Sequence, residues 1–232
     1  MNKTGWIVFA TVIVLLLGGL VAYARVTNPP VDVSGVNNNS VATASTQNGN
    51  IAEHTKGSSS NKILLIEYGD YQCPSCAEAY SQINTLMEDY SNSVTFVFRN
   101  YPLVSIHPNS KAASAAAEAA GLQGKYWEMH DMLYKNQDDW SDLNATQRTT
   151  VFKQYAESIG LNTKEFETAV SSKTVTQKIN FDIARGKKES ISATPTFYLN
   201  GSALDSTTAD SLVQGDLTSI KEKLDTLIKE NN

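Results

Sequence analysis

Cysteine is nearly absent from this 232-residue chain: there are two, and both fall within Cys73-Pro74-Ser75-Cys76. None remains for a structural disulfide framework elsewhere, nor for lipid attachment just after an export signal. Histidine is also scarce. His54, His107 and His130 are the three present, and with the two sulfurs they show no zinc spacing, a site that needs about four ligands. Basic runs are missing as well. The formal net charge is −5, with Lys and Arg scattered through helical stretches, so nucleic acid is not an expected partner.

Charge of either sign is absent between Lys3 and Arg25. As a helix, Gly5 to Ala24 would be about 30 Å long, the thickness of a bilayer's hydrocarbon core. Residues 1–25 are therefore expected to be a transmembrane anchor. Ala22-Tyr23-Ala24 also fits a signal-peptidase site, but the apolar stretch exceeds a typical signal h-region, which favours the anchor. Either outcome exports the rest, and Lys3 favours an N-in arrangement with the folded part on the extracytoplasmic side of the cell membrane. Residues 26–61 are rich in Asn, Ser, Thr and Gly without apolar periodicity, the composition of a flexible linker, in which His54 is expected to be solvated.

One domain, residues 62–232, remains to fold. Ile63-Leu64-Leu65-Ile66 predicts a buried strand, and Ala79, Tyr80, Ile83, Leu86, Met87 and Tyr90 predict a helix that has Pro74 in its first turn. Val94 to Phe98 predicts a second strand, so strand, helix and strand suggest a parallel βαβ unit. About 108–190 reads as a helical subdomain of four or five helices: Ala-rich 112–120, then 126–135, 146–159, 163–171 and 175–188. Thr196 to Leu199, the turn pair Asn200-Gly201 and Ser202 to Leu204 predict a hairpin. Leu217, Ile220, Leu224, Leu227 and Ile228 predict a last amphipathic helix.

A Cys-x-x-Cys at a helix start places its first sulfur at the positive end of the helix dipole, which acidifies that thiol. Cys73 is then the expected nucleophile and Cys76, one turn in, the resolving thiol. A plain structural disulfide would close too small a loop to stabilise much. Soft thiolates could also hold a metal such as copper(I), which keeps a client- or metal-binding module as an alternative from another class. Glu67, at the end of the first strand, is costly to bury without a purpose, and proton exchange with Cys76 is a candidate purpose. Asp70 sits in a turn, where local backbone hydrogen bonds are its ordinary role. His107, before Pro108, reads as a turn or packing residue, and His130 as a satisfied core or boundary histidine.

Ile66-Glu67-Tyr68-Gly69-Asp70-Tyr71-Gln72-Cys73-Pro74-Ser75-Cys76, Phe96 to Leu103, His107-Pro108-Asn109, Gly124 to Asp131 and Ala193-Thr194-Pro195-Thr196-Phe197 together resemble the DsbA-like branch of the thioredoxin superfamily. The resemblance covers about Lys62 to Glu230. It implies an α/β, thioredoxin-like fold with an inserted helical subdomain, a cis Pro195 beside the sulfurs, and a substrate groove that includes Thr194 and Pro195. It places Glu67 at the family's buried acid. It further implies no cofactor beyond the redox-active pair Cys73 and Cys76, exported cysteine-containing proteins as substrates, and reoxidation by a quinone-linked membrane oxidase. A disulfide-introducing oxidoreductase is the expected activity, with a reductase or isomerase as the alternative at the same site. Pro74-Ser75 departs from the family's familiar Pro-His pair, which leaves the Cys73 thiolate without a neighbouring imidazole.

Overall fold

The computed structural model describes residues 3–27, 31–58 and 60–231. Contacts divide the chain into two compact units, Met1–Asp32 and Val33–Asn232. The first contains one helix, α1 (Lys3–Thr27), whose Trp6, Phe9, Leu15, Leu16 and Leu20 are all exposed. A helix apolar on every side has no aqueous face. It is long and apolar enough to cross a membrane, a description that a signal sequence also meets.

The second unit runs β1 (Thr55–Lys56), β2 (Ile63–Gly69), α2 (Pro74–Tyr90), β3 (Val94–Asn100), α3 (Ser110–Gly121), α4 (Tyr126–Lys135), α5 (Gln137–Trp140), α6 (Ala145–Ser158), α7 (Thr163–Val170), α8 (Lys173–Lys188), β4 (Thr196–Leu199), β5 (Ser202–Ala203), α9 (Ser206–Val213) and α10 (Thr218–Asn231). The sheet order is β1-β3-β2-β4-β5, with β2 and β3 parallel and the other pairs antiparallel. This is the thioredoxin-like α/β build with a helical insertion between β3 and β4. Every residue of β2 and β3 is buried, because helices or chain cover both faces of the sheet. The β4–β5 turn is tight because Asn200 and Gly201 adopt φ of 48° and 86°, the left-handed conformation that such hairpins need. Three elements were not legible beforehand: the two-residue β1, the four-residue α5, which makes the insertion six helices instead of the expected four or five, and α9, which buries only Thr208 and Leu212.

The alternation of β2 sorts its side chains between two cores. Ile63 and Leu65 join Phe96, Phe98 and the α2 residues Cys76, Ala79, Ile83 and Leu86, whereas Leu64, Ile66 and Tyr68 join Val97, Tyr101 and Tyr198 on the opposite face. Glu67 has the parity of Ile63 and Leu65, so the pleat assigns it to the α2 side.

The expected flexible linker over 26–61 is corrected over most of its length. Residues 33–56 are a strap packed on the domain, and folded structure begins well before Lys62. The strap docks through polar groups, which hydrophobic periodicity does not register. Asn38, Asn48 and Glu53 are buried, with Ile51 one of few apolar anchors. Glu53 Oε1 accepts Arg99 Nε at 2.5 Å and Arg185 Nη1 at 2.7 Å, and Asn38 Oδ1 accepts the Tyr68 hydroxyl at 2.8 Å. Lys188 Nζ donates to the carbonyls of Val33, Ser34 and Val36. His54, expected in solvent, instead stacks on Tyr126 with ring centres 3.8 Å apart and places Nε2 3.1 Å from Glu118 Oε2. Gly121 makes room for it, since a Cβ there would lie 2.6 Å from the imidazole.

Candidate active site

Cys73 is the N-cap of α2, in extended conformation, and Pro74 occupies the first helical position, where its missing N–H costs nothing. Its carbonyl accepts the Cys76 and Ala77 N–H groups, which winds the first turn. Cys76 is thereby drawn into the core with no exposed surface, while Cys73 keeps 7 % of its surface open. Pro74 and Ser75 are exposed around it. Both cysteines are free thiols in this structure.

The Thr194–Pro195 peptide bond is cis, and the Thr194 carbonyl lies 3.3 Å from Cys73 Sγ, within reach of its S–H. Both residues are partly exposed. Glu67 pairs in register with Phe98 of β3 and Phe197 of β4. Its Oε1 has no hydrogen-bond partner among the described residues. Gly69 keeps space for this arrangement: a Cβ there would sit 2.2 Å from the Phe98 ring and 2.8 Å from Glu67 Oε1. Cys73, Cys76, Glu67, Thr194 and Pro195 are thus brought together from β2, α2 and the loop before β4. A cavity of about 840 Å³ elsewhere, between the β4–β5 hairpin and helices α9 and α10, is lined by none of them.

The two thiols differ in acidity. A hydrogen bond from the Cys76 thiol is the main influence that lowers Cys73 to about 6; burial opposes it, and the Thr194 side chain and Cys76 N–H assist. Burial pushes Cys76 well above its ordinary value, helped by its bond to Cys73 and by Glu67. Glu67 is raised to about 8, chiefly by burial between the two phenylalanines and secondarily by the Cys73 charge. An acid that changes charge near neutrality beside a reluctant thiol is suited to exchange a proton with it.

A stability consequence follows. Unfolded Glu67 ionises near 4.5 and the folded residue near 8, so in that window the native state binds more protons and stability falls as pH rises. The slope is at most about 1.4 kcal/mol per pH unit. In the disulfide form, where neither cysteine titrates, Glu67→Gln is expected to flatten this decline, as urea unfolding at pH 5 and pH 8 would measure. An unchanged decline in the variant would refute the assignment.

Gln137, Gln72 and Asp70 hold the turn, the first two without any signal in the sequence. Gln137 Nε2 donates to the carbonyls of Tyr71 at 2.7 Å and Cys73 at 3.1 Å, and Gln72 Nε2 donates to the Ser141 carbonyl at 2.8 Å. Asp70 does more than cap its own turn: besides the Gln72 N–H it accepts the Leu103 N–H and faces His107. Polar residues with no motif of their own gave no signal for such tertiary contacts. His130 is buried against the Tyr71 hydroxyl at 2.9 Å, a core histidine as expected. Among the described residues no three His, Cys, Asp or Glu side chains gather as a metal site.

A family profile described as thioredoxin matches residues 49–215. Among solved structures, BdbD from Bacillus subtilis (oxidised) is similar over 83 % of this chain and 100 % of that one, with a TM-score of 0.64 and 24 % identity. The thiol-disulfide exchange protein alpha-DsbA2 from Wolbachia pipientis aligns over 75 % and 87 %, with a TM-score of 0.62 and 18 % identity. MdbA, a thiol-disulfide oxidoreductase from Corynebacterium diphtheriae, aligns over 82 % and 99 %, with a TM-score of 0.58 and 18 % identity. In sequence, the chain is 35 % identical over 149 residues to the Na(+)/H(+) antiporter NhaA 3 of Salinispora tropica, which covers 64 % of this chain and 22 % of the antiporter. The chain thus spans about a fifth of the length of that relative.

Proposed function

This chain belongs to the thioredoxin family, in the DsbA-like form with a helical insertion, and we propose that it is an extracytoplasmic thiol–disulfide oxidoreductase that introduces disulfides into exported proteins. The observation that carries the reading is the asymmetry of the pair: a slightly exposed, acidified Cys73 at a helix N-terminus and a fully buried, reluctant Cys76 one turn in. In the forward reaction a client thiolate attacks Cys73 Sγ of the Cys73–Cys76 disulfide. The mixed disulfide forms, and Cys76 leaves as thiolate and takes a proton, for which Glu67 is the proposed donor. A second client thiolate then attacks the client sulfur, and Cys73 leaves as thiolate. Two electrons have passed from the client dithiol to the enzyme. Thr194 and Pro195 are proposed to align the client backbone. The α1 helix is proposed to remain as a single membrane anchor, and a quinone-linked membrane oxidase is proposed to restore the disulfide.

Oxidation of a reduced unfolded protein by the purified disulfide form tests this reading. A wild type no faster than its Cys73→Ser and Cys76→Ser variants would refute it. Sodium–proton exchange belongs to whole antiporters, of which only 22 % is matched, and is not proposed here.

The direction of exchange is set by redox poise. Ser75, in place of an imidazole, favours a milder oxidant, and a reductase or isomerase would use the same sulfurs as a dithiol. Equilibration with glutathione separates the readings, since a potential near that of thioredoxin, about −270 mV, would indicate reduction. Ser75→His is expected to lower the Cys73 pKa by about one unit and raise the potential by about 30 mV, read from thiolate absorbance and the same equilibrium.

A further inference from the structure

The Asp70 carboxyl is fully buried directly before the redox turn. Oδ1 accepts the Gln72 N–H at 2.8 Å, and Oδ2 accepts the Leu103 N–H at 2.8 Å and lies 2.8 Å from His107 Nδ1. The main chain of Asp70 touches both sulfur-bearing residues. Its carbonyl accepts the Cys73 N–H at 3.0 Å, and its N–H points to Cys76 Sγ at 3.5 Å. A buried negative charge at this place works against a thiolate on Cys73, and Glu67 is the other carboxyl acting on the pair. The one imidazole facing Asp70 is carried by the loop after β3, far along the chain from Pro74-Ser75.

We propose that His107 is a positioning residue of the redox site, acting on Cys73 through the Asp70 carboxylate and supplying from the β3–α3 loop the offset that Pro74-Ser75 lacks. An ionised carboxylate can only accept, so the His107 Nδ1 that faces Oδ2 carries the proton of this contact. Such a charge-assisted bond fixes the Asp70 side chain and draws its field away from the sulfur. The loop is held for this purpose at both ends: Ser110 donates to the His107 carbonyl at 2.7 Å, and the His107 N–H donates to the Leu103 carbonyl at 2.9 Å.

The inference rests on the thiol–disulfide reading of the site, and its test separates the two. Full-length protein in detergent is prepared as wild type, His107→Ala, Asp70→Asn and the double variant. Thiolate absorbance against pH and the glutathione equilibrium constant are measured on each. His107→Ala is expected to raise the Cys73 titration midpoint by about 0.5–1 unit and to shift the equilibrium about three- to tenfold toward the disulfide. Asp70→Asn is expected to lower the midpoint, and His107→Ala should move nothing further in that background. A His107→Ala protein that is less stable but titrates as wild type, or one that shifts equally in the Asp70→Asn background, overturns the inference. Should His107→Ala not fold, Asp70→Asn alone decides, since an unmoved midpoint there overturns it. A wild type that does not equilibrate with glutathione overturns the function itself, whatever the variants do.

Discussion

Replacement of Glu53 by alanine is expected to cost about 3–5 kcal/mol of folding stability, the usual penalty for breaking a buried ion pair. Its carboxylate is shared by two guanidinium groups, Arg99 from β3 and Arg185 from α8, and both are buried. It also takes the Ala42 N–H of its own strap at 2.6 Å and Arg99 Nη2 at 3.3 Å. Removing it leaves two cations uncompensated among Tyr68, Asn38 and Phe181. For a domain of this size, the loss corresponds to a fall in Tm on the order of 10 °C. Burial pushes the Glu53 carboxyl up, but Arg99 and Arg185 together hold it below its ordinary 4.5. A depressed carboxylate stabilises fully above the unfolded value and is lost as pH falls through the folded one. Thermal unfolding should therefore show the penalty near pH 7 and a smaller one in acid. A variant as stable as wild type at pH 7 would show that the strap is not integral to the domain.

Cys76→Ser and Cys73→Ser are expected to fail differently, although both lose turnover. Cys73→Ser removes the outer sulfur of the pair and should neither oxidise a client nor form a covalent adduct with it. Cys76→Ser retains the Cys73 thiol but lacks the thiol that resolves a mixed disulfide. Adducts between Cys73 and client cysteines should then persist, visible as bands on non-reducing gels that collapse with reductant. The Cys76 thiol is also the main influence that lowers Cys73, so its loss is expected to raise the Cys73 titration midpoint. Adducts of equal abundance on Cys73→Ser would require Cys76 to be reachable, against its complete burial.

The parts of this fold that announce themselves in sequence are those that repeat a burial pattern locally. Ile63 to Ile66 is a continuous apolar run, and Val94 to Phe98 is broken only by Thr95, because both faces of β2 and β3 are covered, and the α2 residues Ala79, Ile83 and Leu86 recur on one helical face. Asn200-Gly201 marks its hairpin through the φ values it must adopt. Cys73, Cys76 and Glu67 could be singled out by chemistry, and Thr194 and Pro195 only by family resemblance. The strap escaped because Asn38, Asn48 and Glu53 bury polar groups against partners up to 132 residues away. The Asp70–His107 and Gln137 contacts escaped for the same reason: an amide or imidazole carries no period, and its partner is decided by the tertiary fold.

The reach of Gln137 to the Tyr71 and Cys73 carbonyls has a bearing on biogenesis. Gln137 is emitted by the ribosome only after the cysteines, β2 and α2, and it reaches the turn only once the inserted helices have docked. Until those helices dock, the sulfurs sit on a turn that lacks these two hydrogen bonds. The shape of the turn that carries the sulfurs is thus coupled to the docking of helices that lie far downstream of it in the chain.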